Sequence, residues 1–372
     1  MTVYFLACDI KTGATLAELP LQVSELERAL MTVSTASFSL PIADLACPPG
    51  WRELVSPWRT IIVAADDSGT IWWAGIPQTL TCKATSAVIE IEAATIESYL
   101  ARRYVPARRF DQADQCSEIA AWLVASTVDA GIPIDIDAPA SGILRDRSYT
   151  DDETGTVLQR LTDLAGVIDG PEWWIETTWA TPGSQAGIRH VFHTGYPRIG
   201  VASDRPQAVF EMPGGLLDLT YEDRWGEGEA ATFVQVAGEG EGETKPISTP
   251  HVALSQEWGG YPRLELSQSA QNVTELATLE AKAEKTLARL SHGTQVLTLE
   301  QKLDAHPRVG IDWAMGDDVR VLVETDSLRL DTRLRLVGWK LAGAMTTVSP
   351  IVAHMTEKQE EEKPRESDTA AE

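Results

Sequence analysis

The densest group of ionisable side chains in this chain lies between residues 221 and 243. The stretch YEDRWGEGEAATFVQVAGEGEGE holds seven carboxylates, one arginine and five glycines around a short apolar run. Carboxylates at this density can bind a metal ion, supply an acid and a base, or repel polyanions, and glycine-rich loops can bind phosphate. The carboxylates are Glu222, Asp223, Glu227, Glu229, Glu239, Glu241 and Glu243.

A dinucleotide-binding loop needs a strand, then G-x-G-x-x-G, then a helix whose first amides meet the pyrophosphate. The segment TFVQVAGEGEGETKPISTP resembles this order. Its third glycine is misplaced, its glutamates would face the phosphates, and TKPISTP does not favour the start of a helix. The sequence therefore argues against a dinucleotide site, and no cofactor is predicted.

Metal-binding patterns are equally weak. Neither acidic segment has the D-x-D-x-D-G spacing of a calcium loop, and DDSG at 66–69 and MGDD at 315–318 are typical of ordinary turns. His190 and His193 lie three apart in one predicted strand, so they should point to opposite faces. The four cysteines are scattered without C-x-x-C, which indicates reduced thiols. No metal site is predicted.

Catalytic motifs are missing from the sequence, which has no G-x-S-x-G and no H-E-x-x-H. Carboxylates beside aromatic rings can hydrolyse glycans, but the twelve tryptophans are spread through every segment. The doublets Trp72–Trp73 and Trp173–Trp174 place neighbouring rings on opposite faces of a strand. We expect one ring of each doublet in the core and the other at a contact surface. A glycan-binding or glycan-hydrolysing protein of the cell wall is the alternative.

The composition limits the classes of partner. With 372 residues, 43% of them hydrophobic, the chain can form two or three domains with real cores. A net charge of −24 argues against non-specific binding to nucleic acid or to an anionic membrane. The sequence shows no signal-peptide pattern and no run near the ~20 apolar residues of a membrane span, so no membrane anchor is predicted.

The elements that position these residues change along the chain. The first hundred residues alternate short apolar runs with turns, as in the hairpin TIIVAADDSGTIWWAGIP. Helices are predicted after a Ser117 cap and after an Asn272 cap, the second with a stripe that includes Leu279 and Ala283. The predicted domains are a first β-barrel in 1–100, completed by part of 213–255, a mixed α/β middle domain in 101–212, an acidic hairpin region and long helix in 213–294, the strands of a last β-barrel in 295–355, and a disordered acidic tail in 356–372.

The order of these segments resembles a known family. YFLACDIKTGATLAELPL resembles its opening strand pair, STASFSLPIADL a strand and turn, and IIVAADDSGTIWWAGIP a hairpin with tryptophan and glycine. The family comprises the minor tail proteins that actinobacterial siphophages encode downstream of the tape measure, within the broad group of phage tail hub proteins.

Later segments extend this resemblance over most of the chain. GILRDRSYTDDETGTVLQRLTDLAGVIDGPEWWIE resembles the middle domain, and GGYPRLELSQSAQNVTELATLEAKAEKTLARL resembles the stretch before the last barrel. GDDVRVLV matches a G-D-x-V-x-V element. The acidic tail and the two tryptophan doublets depart from the pattern, and they could be particular to the partners of this chain.

The resemblance implies a structural, non-enzymatic protein of the virion tail tip, assembled in the host cytoplasm. The implied fold is α+β and β-rich, with two small β-barrel domains, an α/β middle domain and a helix-containing insertion. Three copies would form a ring whose six barrels match the six-fold tail tube above and give three-fold symmetry below. The implied partners are further copies of the chain as a homotrimer, the distal tail protein, the tape measure protein and downstream tail-tip or receptor-binding proteins. The six-fold distal tail protein itself is a further alternative.

This architecture suggests a use for the acidic stretch. Phage DNA must slide through a hub without binding, and carboxylates along the lumen repel phosphates whereas lysine or arginine would retain them. The hypothesis is that some of the seven carboxylates face the lumen or its lower mouth. The alternative is that they lie on an outer, solvated loop.

Overall fold

A computed structural model of the chain describes residues 3–150, 155–240, 245–270, 273–342 and 346–354. These residues divide into two compact units. Unit 1 takes the described residues of Met1–Asp218 and Leu299–Ala353, and unit 2 takes those of Leu219–Thr298 and His354–Glu372. The predicted tail, 356–372, lies outside the described residues, and the predicted domain boundaries stay a prediction.

Strands make up most of the regular structure. Those of the first half are β1 Val3–Asp9, β2 Thr15–Leu19, β3 Gln22–Ala29, β4 Thr35–Pro41, β5 Thr60–Asp66, β6 Ile71–Cys82, β7 Val88–Thr95, β8 Arg108–Asp114, β9 Asp135–Asp137, β10 Leu144–Tyr149, β11 Glu172–Thr181 and β12 Ser184–Gly195. Those of the second half are β13 Val209–Met212, β14 Leu216–Arg224, β15 Phe233–Ala237, β16 His251–Val252, β17 Glu265–Ser269, β18 Thr294–Lys302, β19 Asp318–Glu324, β20 Arg329–Ala342 and β21 Thr347–His354.

The helices are short, with one exception. They are α1 Trp51–Leu54, α2 Glu97–Leu100, α3 Ala121–Ala125 (preceded by a π-helical turn, Gln115–Ala120), α4 Val157–Ala165, α5 Leu254–Trp258 and α6 Leu276–Leu290. None of the helices in the described residues is long and apolar enough to cross a membrane.

One large sheet joins strands from both ends of the chain. It has 13 strands in the order β14-β18-β21-β20-β3-β4-β7-β6-β5-β1-β2, with β19 beside β20 and β13 beside β19. The link is the antiparallel pair β20–β3, in which Gly338 lies opposite Ala29. Alternation fixes the faces of these strands: in β4, Phe38 and Leu40 are fully buried, whereas Ser39 between them is not. The predicted α+β, β-rich fold is confirmed.

The middle of unit 1 packs small sheets and helices against this large sheet. The pairs β10–β8 and β11–β12–β9 form two further sheets, and their apolar residues share one core with β1, β5 and β6. The helical turn after β8 is capped by Asp114, whose Oδ1 accepts the N–H groups of Cys116 and Ser117 at 2.9 Å each. The prediction of Ser117 as the cap is wrong, because an ionised carboxylate three residues earlier takes that role and also accepts the Ser117 hydroxyl.

Unit 2 contains a three-stranded sheet in the order β16-β15-β17, with α6 packed on it. Leu279, Ala283 and Leu290 of α6 are buried against Val234 and Val236 of β15. The predicted apolar stripe of this helix is therefore confirmed at these positions, whereas the predicted Asn272 cap lies outside the described residues.

Candidate interaction surface of the acidic segment

The first part of the acidic segment is organised around one arginine. At the end of β14, Arg224 lies 2.5 Å from Glu222, between an Nη and an Oε atom, and 3.7 Å from Glu229. The hydrogen bond to Glu222 and the charge of that carboxylate raise the pKa of the Arg224 guanidinium. The Glu227 side chain is exposed and has no ion-pair partner among the described residues. Two carboxylates thus pair with the single cation, and Glu227 and Asp223 add further negative charge, so the net charge of this turn stays negative.

Asp223 fixes an aromatic pair beside these acids. Its Oδ1 accepts the indole N–H of Trp225 at 2.9 Å, and the Trp225 ring stacks on Tyr261 with centroids 4.8 Å apart and planes 10° from parallel. Gly293, at φ +73°, lies behind the indole, and a Cβ there would come within 2.9 Å of the ring. This first part of the acidic segment is therefore a folded turn with defined side chains.

The second part of the acidic segment follows β15. Gly238 allows the chain to pass close to Val273, since a Cβ would lie 2.3 Å from the Val273 carbonyl oxygen. The next residue, Glu239, donates its backbone N–H to that same oxygen at 2.9 Å and leaves its side chain exposed. Glu241 and Glu243 lie outside the described residues. The close backbone approach at Gly238 and the positive φ of Gly240, +153°, explain these two glycines without a phosphate ligand.

Exposed aromatic residues of unit 2 are a feature that sequence reasoning missed. Trp258, at the end of α5, is 82% exposed, and Leu254, one turn earlier on the same helix, is 51% exposed. Tyr261 follows at 44% exposure after the pair Gly259–Gly260. Tryptophan and tyrosine are enriched at the centres of protein interfaces. The sequence EWGGYPR could have indicated this exposure, because its tryptophan stands directly before a glycine turn, and turns lie at the surface.

The doublet Trp72–Trp73 is buried on both faces within the chain. The Trp73 ring packs edge-on against Phe38, at 5.6 Å between centroids, and the Trp72 ring packs edge-on against Trp339, at 6.2 Å. The Trp72 indole N–H also donates to Asp66 at 2.9 Å. The expected surface ring is not found here, because Trp339 of β20 covers the second face of β6.

The doublet Trp173–Trp174 does divide between core and surface. Trp173 is 1% exposed, whereas Trp174 is half-buried between the His193 ring, 5.7 Å away, and the guanidinium of Arg28, 5.4 Å from its centroid. The role of these rings in an interface between copies stays a prediction. Of the four doublet rings, Trp174 is the one that still has accessible surface for such a contact.

The two histidines of β12 point to opposite faces, as predicted. His190 is buried beside Thr177, and burial lowers its pKa to about 4. His193 lies between Glu176 and Asp137, with nitrogen–oxygen distances of 3.1 and 2.9 Å, and the hydrogen bond to Glu176 raises its pKa. Within the described residues, no group of three or more histidine, cysteine or acidic side chains is arranged to hold a metal ion.

Comparison with known proteins relates the whole fold to one class. No family model matches the chain, and no curated protein matches its sequence. Its structure is similar to a tail protein from Neisseria meningitidis, with a TM-score of 0.57, 15% identity and coverage of 95% of this chain and 97% of that one. It is also similar to the 43 kDa tail protein of prophage MuSo2 from Shewanella oneidensis, with a TM-score of 0.59, 12% identity and coverage of 94% and 98%.

A third similar structure is a prophage tail protein from Listeria monocytogenes, with a TM-score of 0.53, 12% identity and coverage of 94% of each chain. The chain therefore has the fold of phage tail proteins over nearly its whole length. The predicted resemblance to tail proteins is confirmed at the level of the fold.

Proposed function

We propose that this chain is a structural, non-enzymatic hub protein at the tip of a non-contractile phage tail, of the kind encoded by actinobacterial siphophages. The observation that carries the proposal is the fold, which similar tail proteins share over 94–95% of this chain. Similarity over 94–98% of the similar chains supports a shared multi-segment architecture rather than one shared domain.

Three copies form a ring in this proposal. Each copy contributes two β-barrels, so that six barrels meet the six-fold tail tube and distal tail protein, while three-fold tail-tip or receptor-binding proteins attach below. The tape measure protein is a further partner. A ring of this kind closes through a heterologous interface, in which different surfaces of neighbouring copies meet. Trp258, whose ring is exposed, and Trp174, whose ring is half-buried, are suited to such contacts.

The acidic segment lines the channel or its mouth in this proposal. Its carboxylates outnumber its arginine, and that arginine is already held by Glu222 and Glu229. Passing DNA therefore meets net negative charge without a free cation in this turn, which favours sliding over binding.

The first experiment is to measure the copy number of the chain. Light scattering gives the mass of the purified chain, and electron images of assembled tails give its symmetry. We expect three copies in a ring around an open channel. Six copies would identify the distal tail ring instead, and a stable monomer missing from tails would overturn both.

A glycan-binding protein of the cell wall is the second candidate, because the Trp258 ring is 82% exposed and the Trp225–Tyr261 stack lies beside carboxylates. Titration of the purified chain with cell-wall glycan fragments tests it. Quenching of tryptophan fluorescence that disappears in Trp258→Ala would favour this candidate, and a signal unchanged by that substitution would exclude Trp258 as the platform.

A further inference from the structure

A cleft in unit 2 carries the opposite charge to the rest of the chain. It has a volume of about 250 Å³ and lies between helix α6 and the end of strand β17. Lys282, Lys285 and Arg289 of the helix line one side, and Gln268 of the strand lines the other. In a chain with a net charge of −24, three cations around one cleft form a distinct site.

The three cations form one stripe because they recur at intervals of three and four residues on the helix. All three are exposed, and in the described part of the chain none of them has a carboxylate within ion-pair distance. Like charges at this spacing repel one another, so the stripe is unfavourable by itself. The acidic residues Glu280 and Glu284 lie on the other flank of the helix, and Glu280 is already bonded to Thr249. An anionic occupant would relieve the repulsion.

Strand β17 adds a second recognition element. Within the described residues it pairs with β15 alone and forms the edge of the sheet β16-β15-β17. The free edge of a strand presents backbone N–H and C=O groups to which an extended peptide can add as a further strand. A cleft with a strand edge on one side and cations on the other is suited to an extended, acidic peptide.

The chain itself contains such a peptide. Residues 356–372, TEKQEEEKPRESDTAAE, hold seven carboxylates against three basic residues, and three consecutive glutamates stand at 360–362. Lys282 and Arg289 are about 10 Å apart along the helix axis at 1.5 Å per residue. In an extended segment, the first and third of three consecutive residues are about 7 Å apart. The charges are therefore opposite in sign, and glutamates about 7 Å apart fit within the length of about 10 Å over which the cations are spread.

We propose that this cleft binds the acidic segment 356–372 of the chain as an added strand beside β17, with Lys282, Lys285 and Arg289 pairing with its glutamates. This binding is a property of the isolated chain and does not depend on assembly into a tail. An acidic segment of another tail protein would have to displace it to reach the cleft.

Zero-length cross-linking of the full-length chain tests the contact directly. A carbodiimide joins a lysine amine to a carboxylate in contact with it, and mass spectrometry identifies the linked residues. We expect links from Lys282 or Lys285 to the glutamates of 356–372. Links from these lysines only to other acidic segments, or no links at all, would overturn the proposal.

Hydrogen exchange gives a second readout that does not depend on the reagent. In the variant Lys282→Glu/Lys285→Glu/Arg289→Glu, we expect the backbone amides of Glu265–Ser269 that point away from β15 to exchange at least ~10-fold faster, because an added strand protects only the amides with which it forms hydrogen bonds. The neutral tail variant Glu360→Gln/Glu361→Gln/Glu362→Gln should show the same change. Equal exchange in the wild type and both variants would contradict the proposal.

Two controls separate the segment from other causes. The variant Lys83→Glu/Lys302→Glu/Arg329→Glu makes the same change of charge at exposed cations elsewhere and should leave the exchange of Glu265–Ser269 unchanged. Inorganic phosphate at millimolar concentration should not restore protection to the tail variant. If phosphate restores it fully, the cleft is a site for a small anion and the proposal fails.

Discussion

His193 is the residue at which pH should act most directly. Its two ring nitrogens bond to Glu176 and Asp137, and these contacts raise its pKa above the value of about 6.5 in an unfolded chain. The folded state therefore binds this proton more tightly. The added stability is fully present below pH ~6.5 and is lost as the pH rises through the folded pKa.

Comparison of the wild type with His193→Gln tests this sign. We expect the wild type to lose free energy of unfolding, relative to the variant, as the pH rises from about 6 to 8. Urea denaturation at a series of pH values measures the difference. A difference that grows with pH would contradict the assignment. The buried His190 gives the opposite sign between pH ~6.5 and its folded pKa of about 4, so the two rings can be distinguished by NMR titration.

Replacing a buried tryptophan and replacing an exposed one should have very different effects on the free energy of unfolding. Trp73 is 1% exposed and packs on Phe38, so Trp73→Ala should lower the free energy of unfolding by about 3–5 kcal/mol. Trp258 is 82% exposed, so Trp258→Ala should change it by less than about 0.5 kcal/mol while weakening assembly of the proposed ring. Chemical denaturation and light scattering measure the two effects. An equal loss of stability in both variants would mean that Trp258 is covered.

For single residues, the sequence predicted side-chain positions best where they depend only on neighbouring residues in the chain. The opposite faces of His190 and His193 follow from strand alternation alone. The burial of Trp72 does not, because it depends on Trp339, which reaches β6 from a distant part of the sequence. The cap of the helical turn was misplaced because Ser117 and Asp114 both satisfy the local pattern, and the carboxylate is the stronger acceptor.

At the scale of elements, the hairpin between β5 and β6 is held by one carboxylate. Asp66 is 1% exposed, and its oxygens accept the backbone N–H groups of Ser68 and Thr70 and the indole N–H of Trp72, at 2.9 to 3.0 Å. Burial acts to raise the pKa of Asp66, but the hydrogen bonds led by Ser68 and Trp72 outweigh it and lower the pKa. The turn therefore depends on the ionised form of this side chain.

We expect Asp66→Ala to lower the free energy of unfolding by about 2–3 kcal/mol, because several donors lose their acceptor at once. Asp326→Ala is a matched control in another turn, where the carboxylate is exposed, and it should change stability by less than about 0.5 kcal/mol. Thermal unfolding of both variants measures the difference. Similar melting temperatures for the two would show that the hairpin does not need Asp66.

The types of most elements could be predicted, whereas their pairing could not. Apolar alternation and turn residues located the strands of the first hundred residues, and the stripe of α6 followed from helical spacing. The pairing of β20 with β3 joins the beginning and the end of the chain in one sheet. Such a contact leaves no local signal, because either strand edge could pair with several others.

At the scale of the whole molecule, the resemblance to tail proteins was predicted from the order of the segments rather than from any single motif. That order led to the tail-protein class, and the fold agrees with it although identity to the similar structures is only 12–15%. Packing tolerates such divergence when the pattern of apolar and polar positions is kept. The exposed surface of unit 2, including Trp258, was not predicted, because exposure depends on which residues the rest of the fold leaves uncovered.

The function proposed for the acidic segment predicts an effect on the passage of DNA. Glu227 and Glu239 are exposed and bear no part of the Arg224 or Trp225 contacts, so Glu227→Lys/Glu239→Lys should leave the fold and the assembly of tails intact. If these side chains line the channel, their reversal places cations beside the phosphates, and ejection of DNA should slow by about tenfold at low salt. Added salt should restore the rate, because screening weakens the contact with phosphate.

The control for this experiment is Glu18→Lys/Glu324→Lys, which changes the charge equally at exposed carboxylates of unit 1. Fluorescence of a DNA dye outside triggered particles gives the rate of ejection for each particle type. Slowing by the first variant alone places these two carboxylates in the path of the DNA, because only charge beside the phosphates can act at such short range in salt. Equal rates for both variants and the wild type would mean that the acidic segment faces outward, and its charge would then serve solubility rather than ejection.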